Sequence, residues 1–235
     1  SIYINNLKLN KKNEIESISD IGVLTFINNK ENNNFKITFK KEISIEGKKL
    51  DTTYLLTQLT SDSKTNYLKN FTKNVEINLG SLITKSQISL NNFRLLGRLN
   101  KGKFEKISAK SEFSKTKYLD ISLKKDKNNK KILEIYSDLP QVLLADYKFF
   151  EGVKDGKLLY NSTYDNSGSV SKITIENFKV IKAPALATLL TLADLGGIAD
   201  ILSGDGMSFD ILEINLKNDT DLTTVKEVLA LGTSV

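Results

Sequence analysis

The sequence contains no histidine, no cysteine and no tryptophan, and only two prolines, Pro140 and Pro184. Without His and Cys there is no Ser–His–Asp triad, no Cys–His pair, no thiolate zinc site and no disulfide. Carboxylates, Lys, Tyr, Ser and Thr are the catalytic groups left, and no acid/base pair among them stands out. We therefore expect no enzyme, no catalytic residue, no cofactor and no metal site. The missing cysteines leave the compartment open, because exported proteins also do without disulfides. Arginine is scarce as well: Arg94 and Arg98 are the only two.

What is present is lysine and asparagine. Of 34 positive charges, 32 are lysines, and 23 residues are asparagine. Together with abundant isoleucine, this pattern fits an A/T-rich genome. The net charge of +6 over 235 residues does not point to nucleic acid. Arginine forks and exposed aromatics on a basic face are the usual marks of that function. We read the lysines as a solvated surface and expect no nucleic-acid partner. The 40% of hydrophobic residues is enough for a core in one large domain or two small ones.

Period-2 alternation dominates the chain. Phe35, Ile37, Phe39, Ile43 and Ile45 occupy odd positions with polar residues between them, and read as one long strand with a single apolar face. Val75/Ile77/Leu79, Ile88/Leu90, Leu119/Ile121/Leu123 and Leu158/Tyr160 behave alike. Ile173/Ile175 shifts phase before Phe178/Val180, and Met207/Phe209/Ile211 shifts before Leu212/Ile214/Leu216. A one-residue slip turns side chains to the other face unless a bulge absorbs it, so bulges are predicted near Asn177 and Ile211. Links such as Asn28–Glu31, Lys124–Lys131 and Asp165–Gly168 are short and polar. They favour antiparallel neighbours, since parallel crossovers need a dozen or more residues.

Three segments read as helices. Leu50–Phe71 starts at the candidate N-cap Asp51. A short helix follows Asp138, with Pro140 at its first position and Val142, Leu143, Leu144 and Tyr147 inside. Ala183–Leu202 is apolar around most of its circumference, wider than an ordinary surface helix. Asp194, Asp200 and Gly196-Gly197 argue against a membrane span, leaving a helix clamped between protein layers or laid on lipid. The acidic loops at Asp155-Gly156, Asp165–Gly168 and Asp205-Gly206 lack calcium-site spacing and read as turns.

The segment Ile175–Asp210 carries a more specific pattern. Phe178 and Val180 end a strand that runs into Ala183, Pro184 and Leu186. After the Leu/Ala-rich helix, Leu202, Gly204, Gly206 and Phe209 open the next strand. Over residues 132–216 this order resembles the C-terminal region of the AsmA-like family, the YhdP- and TamB-related large periplasmic proteins of Gram-negative bacteria. The resemblance implies a protein anchored in the inner membrane and reaching across the periplasm towards the outer membrane. It also implies a long, curved antiparallel sheet whose apolar groove shields phospholipid acyl chains during transport, with no chemical step. Ser1 leads directly into strand-like sequence, and the chain is read as a segment of a longer protein.

The expected fold is thus mainly β with a few helices: a long curved antiparallel sheet, open or partly closed, with helices capping one end. Residues 1–130 supply strands with a helical insertion near 51–71, and 131–235 the AsmA-like region with its helix at 183–202. Candidate lipid-groove residues are Ile173, Ile175, Phe178, Val180, Phe209, Ile211, Ile214 and Leu216. Leu186, Leu190, Leu192 and Leu195 are the candidates for a helix face towards lipid or a partner. The competing reading is a structural or adhesive β-domain of the cell envelope, whose core is closed and holds no lipid.

Overall fold

The computed structural model describes residues 1–53, 72–84, 86–144, 150–165, 167–181, 206–219 and 221–232. These residues are mainly β, in mostly antiparallel sheet that does not close into a barrel. The chain divides into two compact units, Ser1–Thr116 and Lys117–Val235.

The first unit contains β1 (Ile2–Asn5), β2 (Lys8–Leu9), β3 (Ile15–Ser17), β4 (Asp20–Ile27), β5 (Lys30–Phe39), β6 (Ile43–Asp51), β7 (Lys73–Ile83), β8 (Ser89–Asn100) and β9 (Lys103–Ser114). Its sheet runs β1-β4-β5-β6-β7-β8-β9, and β2 pairs β3 in a separate ribbon. One rung, Ile21–Ile37–Ile45–Ile77–Leu95–Ala109, crosses six of these strands on a single face. Ile43, Val75 and Leu99 form its buried core, with Phe39 and Phe104 packed against them. The alternation seen in the sequence is this face.

The stretch Phe35–Ile45 is two strands rather than one, joined at Lys40–Glu42. Phe39 pairs with Ile43 and Ile37 with Ile45. A three-residue link keeps odd positions on the same face of both strands, so the turn leaves no trace in the period-2 pattern. One pair departs from the antiparallel rule: β6 and β7 are parallel. Residues 52–72 join them, a connection long enough for the crossover that parallel pairing demands. Asp51 ends β6, and its carboxylate accepts the Thr53 N–H at 2.9 Å. The remainder of the expected helix at 50–71 lies outside the described residues.

The second unit contains β10 (Lys117–Lys125), β11 (Lys131–Ser137), α1 (Gln141–Leu144), β12 (Val153–Asp165), β13 (Gly168–Val180), β14 (Met207–Asn218) and β15 (Thr223–Gly232). Its strands follow one another in sequence order, β10 to β15, each pairing antiparallel with the next. The short helix after Asp138 is present, with the Leu144 N–H bonded to the Pro140 carbonyl at 3.0 Å. Asp138 itself serves the sheet. It accepts the Tyr118 N–H at 2.9 Å and the Tyr136 hydroxyl at 2.6 Å. The expected helix at 183–202 lies outside the described residues.

The bulge predicted near Ile211 is there, as a register shift between Phe209 and Ile211 where β14 meets β15. At Asn177 there is no bulge, because the register is the same on both sides of it; instead one residue in each of three strands is skipped in step. Asp155 pairs with Phe178 and Lys157 with Glu176, leaving Gly156 and Asn177 out of the ladder. On the other side Glu176 pairs with Ile211 and Phe178 with Phe209, leaving out Asp210. Asp155, Gly156 and Asn177 adopt φ of 58°, 85° and 52°. Asp155-Gly156 is therefore a kink within β12, not the turn its composition implied. Skipping one residue in step on each strand, with the left-handed backbone at Asp155, Gly156 and Asn177, returns Phe178, Val180 and Phe209 to the buried cluster that holds Ile173 and Ile175.

Candidate ligand-binding site

The buried face of the second unit is built in rungs, each a row of paired residues across the five strands β11 to β15. Ser137–Leu158–Ile175–Leu212–Ala230 is one, and Ile135–Tyr160–Ile173–Ile214–Val228 the next. Leu133–Ser162–Ser171–Leu216–Val225 follows, and Lys131–Tyr164–Ser169–Asn218–Thr223 forms the last. Polarity thus rises along the strands in one direction. At the apolar end the face is filled. Ile175, Phe178, Val180 and Leu212 are at most 1% exposed, and the Phe178 and Phe209 rings stack at 5.2 Å.

Towards the polar end the packing opens into a cavity of about 680 Å³. Leu133, Ile135, Leu143, Leu144, Phe150, Leu158, Ile173 and Leu216 give it apolar walls, and Tyr160, Asn218 and Thr223 add polar groups. Its volume is in the range of ordinary ligand pockets, about 300–1,000 Å³. The buried hydroxyls beside it are satisfied: Ser171 donates to Ser162 at 2.9 Å, and the Tyr160 hydroxyl lies 3.2 Å from Ser171 Oγ. Tyr164 holds its proton above the ordinary tyrosine range because burial disfavours the phenolate and Tyr160 lies near. Lys131 Nζ sits 5.8 Å from the centre of the Tyr164 ring, within cation–π reach.

A second, polar hollow of about 500 Å³ surrounds the β12–β13 turn. Its lysines have partners: Lys130 lies 3.5 Å from Asp165, and Lys217 3.3 Å from Asp219. Hydrogen bonds from the Ser167 hydroxyl and backbone, with Lys130 alongside, hold the Asp165 carboxyl below the usual carboxylate range. Among the described residues no cluster of three potential metal ligands occurs. Nor is any helix among them long and apolar enough to cross a membrane.

Of the eight groove candidates, Ile173 and Leu216 line the cavity. Ile175, Phe178, Val180, Phe209 and Ile214 belong to the same buried cluster but lie beyond the cavity wall. Ile211 stands outside the cluster, paired with Glu176 and with Leu231, which is 52% exposed. Leu186, Leu190, Leu192 and Leu195 fall outside the described residues. Sequence reasoning passed over Leu133, Ile135, Leu143, Leu144 and Phe150. Their signal was present in the alternation of β11 and the leucines after Pro140, but nothing local shows that these residues converge on β12 to β14.

Fold and site define a mainly-β protein whose second unit carries an apolar cavity beside a single buried sheet face. The chain matches no family profile, no curated protein and no solved structure.

Proposed function

We propose that the second unit binds an acyl chain in the cavity bounded by Leu133, Ile135, Leu143, Phe150, Ile173 and Leu216, and that this chain is a lipid-handling segment without a chemical step. The carrying observation is the cavity itself: about 680 Å³, walled mainly by aliphatic side chains, at the open end of an otherwise filled face. Burying a methylene there contributes roughly 0.8 kcal/mol, so a tail is held without polar recognition. The motif resemblance over residues 132–216 supports the same reading. It extends the proposal to phospholipid transport between inner and outer membranes by an AsmA-like protein anchored in the inner membrane of a Gram-negative envelope.

The test is mass spectrometry of lipids extracted from protein purified without detergent. The expected result is phospholipid or fatty acid at a stoichiometric level, reduced when Leu216→Trp and Leu133→Trp narrow the cavity. Protein that emerges free of lipid, with both variants indistinguishable from the parent, would instead favour a structural β-domain with a closed core.

A further inference from the structure

We propose that the cavity selects an acyl chain whose adjoining group donates a hydrogen bond, the free hydroxyl of a single-chain glyceride, and that the Tyr160 oxygen accepts it. The inference rests on the acyl-chain reading above and adds to it the class of lipid. Three side chains on the buried face share two protons in a fixed order. Ser171 Oγ donates to Ser162 Oγ at 2.9 Å. A serine hydroxyl has one proton, so Ser171 accepts in its 3.2 Å contact with the Tyr160 hydroxyl, and Tyr160 is the donor there. The phenol proton is thereby committed to the sheet. What the Tyr160 oxygen has left is acceptor capacity.

Tyr160 lines the cavity and is paired in the sheet with Ile135 and Ile173, both aliphatic members of the same wall. An acceptor in apolar surroundings selects for a donor, because an ester or ether oxygen set against it leaves two acceptors with no proton between them. Asn218, another lining residue, is anchored in the same sense: its amide nitrogen donates to Ser169 Oγ at 3.0 Å, and its carbonyl oxygen is the end left over. Among the described residues the polar members of the wall are Tyr160, Asn218 and Thr223, all uncharged. An ionised head therefore meets no counter-charge in this wall and stays with solvent, while an uncharged hydroxyl beside the chain enters. A fatty-acid anion and a diacyl phospholipid present only acceptors where the chain ends. A lysophospholipid and a monoacylglycerol both carry a free glycerol hydroxyl close to that point. The tail then lies towards Leu143, Leu144 and Phe150, and the rest of the head passes Asn218 and Thr223.

Displacement of a fluorescent acyl probe from the delipidated full chain tests this with two ligand pairs, each ligand below its micelle or solubility limit. One pair is oleoyl lysophosphatidylcholine and the analogue lacking its free glycerol hydroxyl. The other is mono-oleoylglycerol and methyl oleate. The hydroxyl-bearing member of each pair is expected to bind about fivefold more tightly, a difference of about 1 kcal/mol and the size of one neutral hydrogen bond. The tighter of the two hydroxyl ligands identifies a lysophospholipid or a neutral glyceride as the source. Tyr160→Phe should close the gap within both pairs, and binding of the members without a hydroxyl reports that the cavity is still formed. Ser171→Ala should narrow the gap too, because it frees the Tyr160 proton for an ester carbonyl. Equal affinity within the pairs overturns the hydroxyl assignment while the acyl-chain reading stands. So does a gap that persists in Tyr160→Phe or, should that variant not fold, in Ser171→Ala. If none of the four ligands binds, both readings fall.

Discussion

Asn177 holds its backbone at φ 52° in the middle of a paired strand. That left-handed conformation costs most side chains roughly 1–2 kcal/mol, and Asn and Gly tolerate it best. Asn6, Asn13, Asn28, Asn29, Asn92 and Asn129 do the same elsewhere. Part of the asparagine excess, which composition alone ascribes to genome bias, therefore has a structural use in turns and bulges. Asn177→Ala should lower stability by about 1 kcal/mol, and Asn177→Gly should leave it nearly unchanged. Urea denaturation of both variants checks this. Tyr136 offers a second test, because its hydroxyl donates to the buried carboxylate of Asp138. Tyr136→Phe should cost about 1.5–3 kcal/mol, the range for a hydrogen bond to a charged group. Burial, then the Asp138 bond, raises the Tyr136 proton affinity above the ordinary value. The folded chain thus keeps a proton that the unfolded chain releases above about pH 10. This contribution is complete below that pH and is lost as pH rises beyond it. Stability measured from pH 8 to 11 should fall more steeply for the parent than for Tyr136→Phe.

At the scale of elements, the strands were legible because one face is apolar and the other wet, and the phase slips near Asn177 and Ile211 were legible for the same reason. The turn at Lys40–Glu42 was not, because an odd link preserves parity. The kink at Asp155-Gly156 was read as a turn because Asp-Gly serves both purposes, and only pairing distinguishes them. Gly156 is fixed in that kink twice over. Its φ is 85°, and an added Cβ would lie 2.6 Å from the Glu176 carbonyl oxygen. Gly156→Val should therefore cost at least about 2 kcal/mol, from a positive φ and a backbone clash together. Thermal unfolding is the check. Because the kink returns Phe178 and Phe209 to the buried face, this variant should also expose apolar surface and raise dye binding.

For the molecule as a whole, the fold class could be read from the sequence, but the cavity could not. Ile173 and Leu216 were singled out through their strands, while Leu143, Leu144 and Phe150 reach the same space from α1 and the residue stretch that follows it. That convergence is long-range in sequence, and no period or motif encodes it. The same geometry says where a bound chain is to be sought. Ile175 is wholly buried and offers a ligand no surface, whereas Tyr160 and Leu216 face the cavity. The most direct measurement is photocrosslinking in cells with a photoreactive amino acid at Tyr160, at Leu216 and, on the opposite face, at Leu159, which is 37% exposed. Acyl-chain occupancy predicts a lipid adduct in the mass spectrum from positions 160 and 216 and none from 159. Adducts absent at all three positions, or equally abundant at 159, would contradict it.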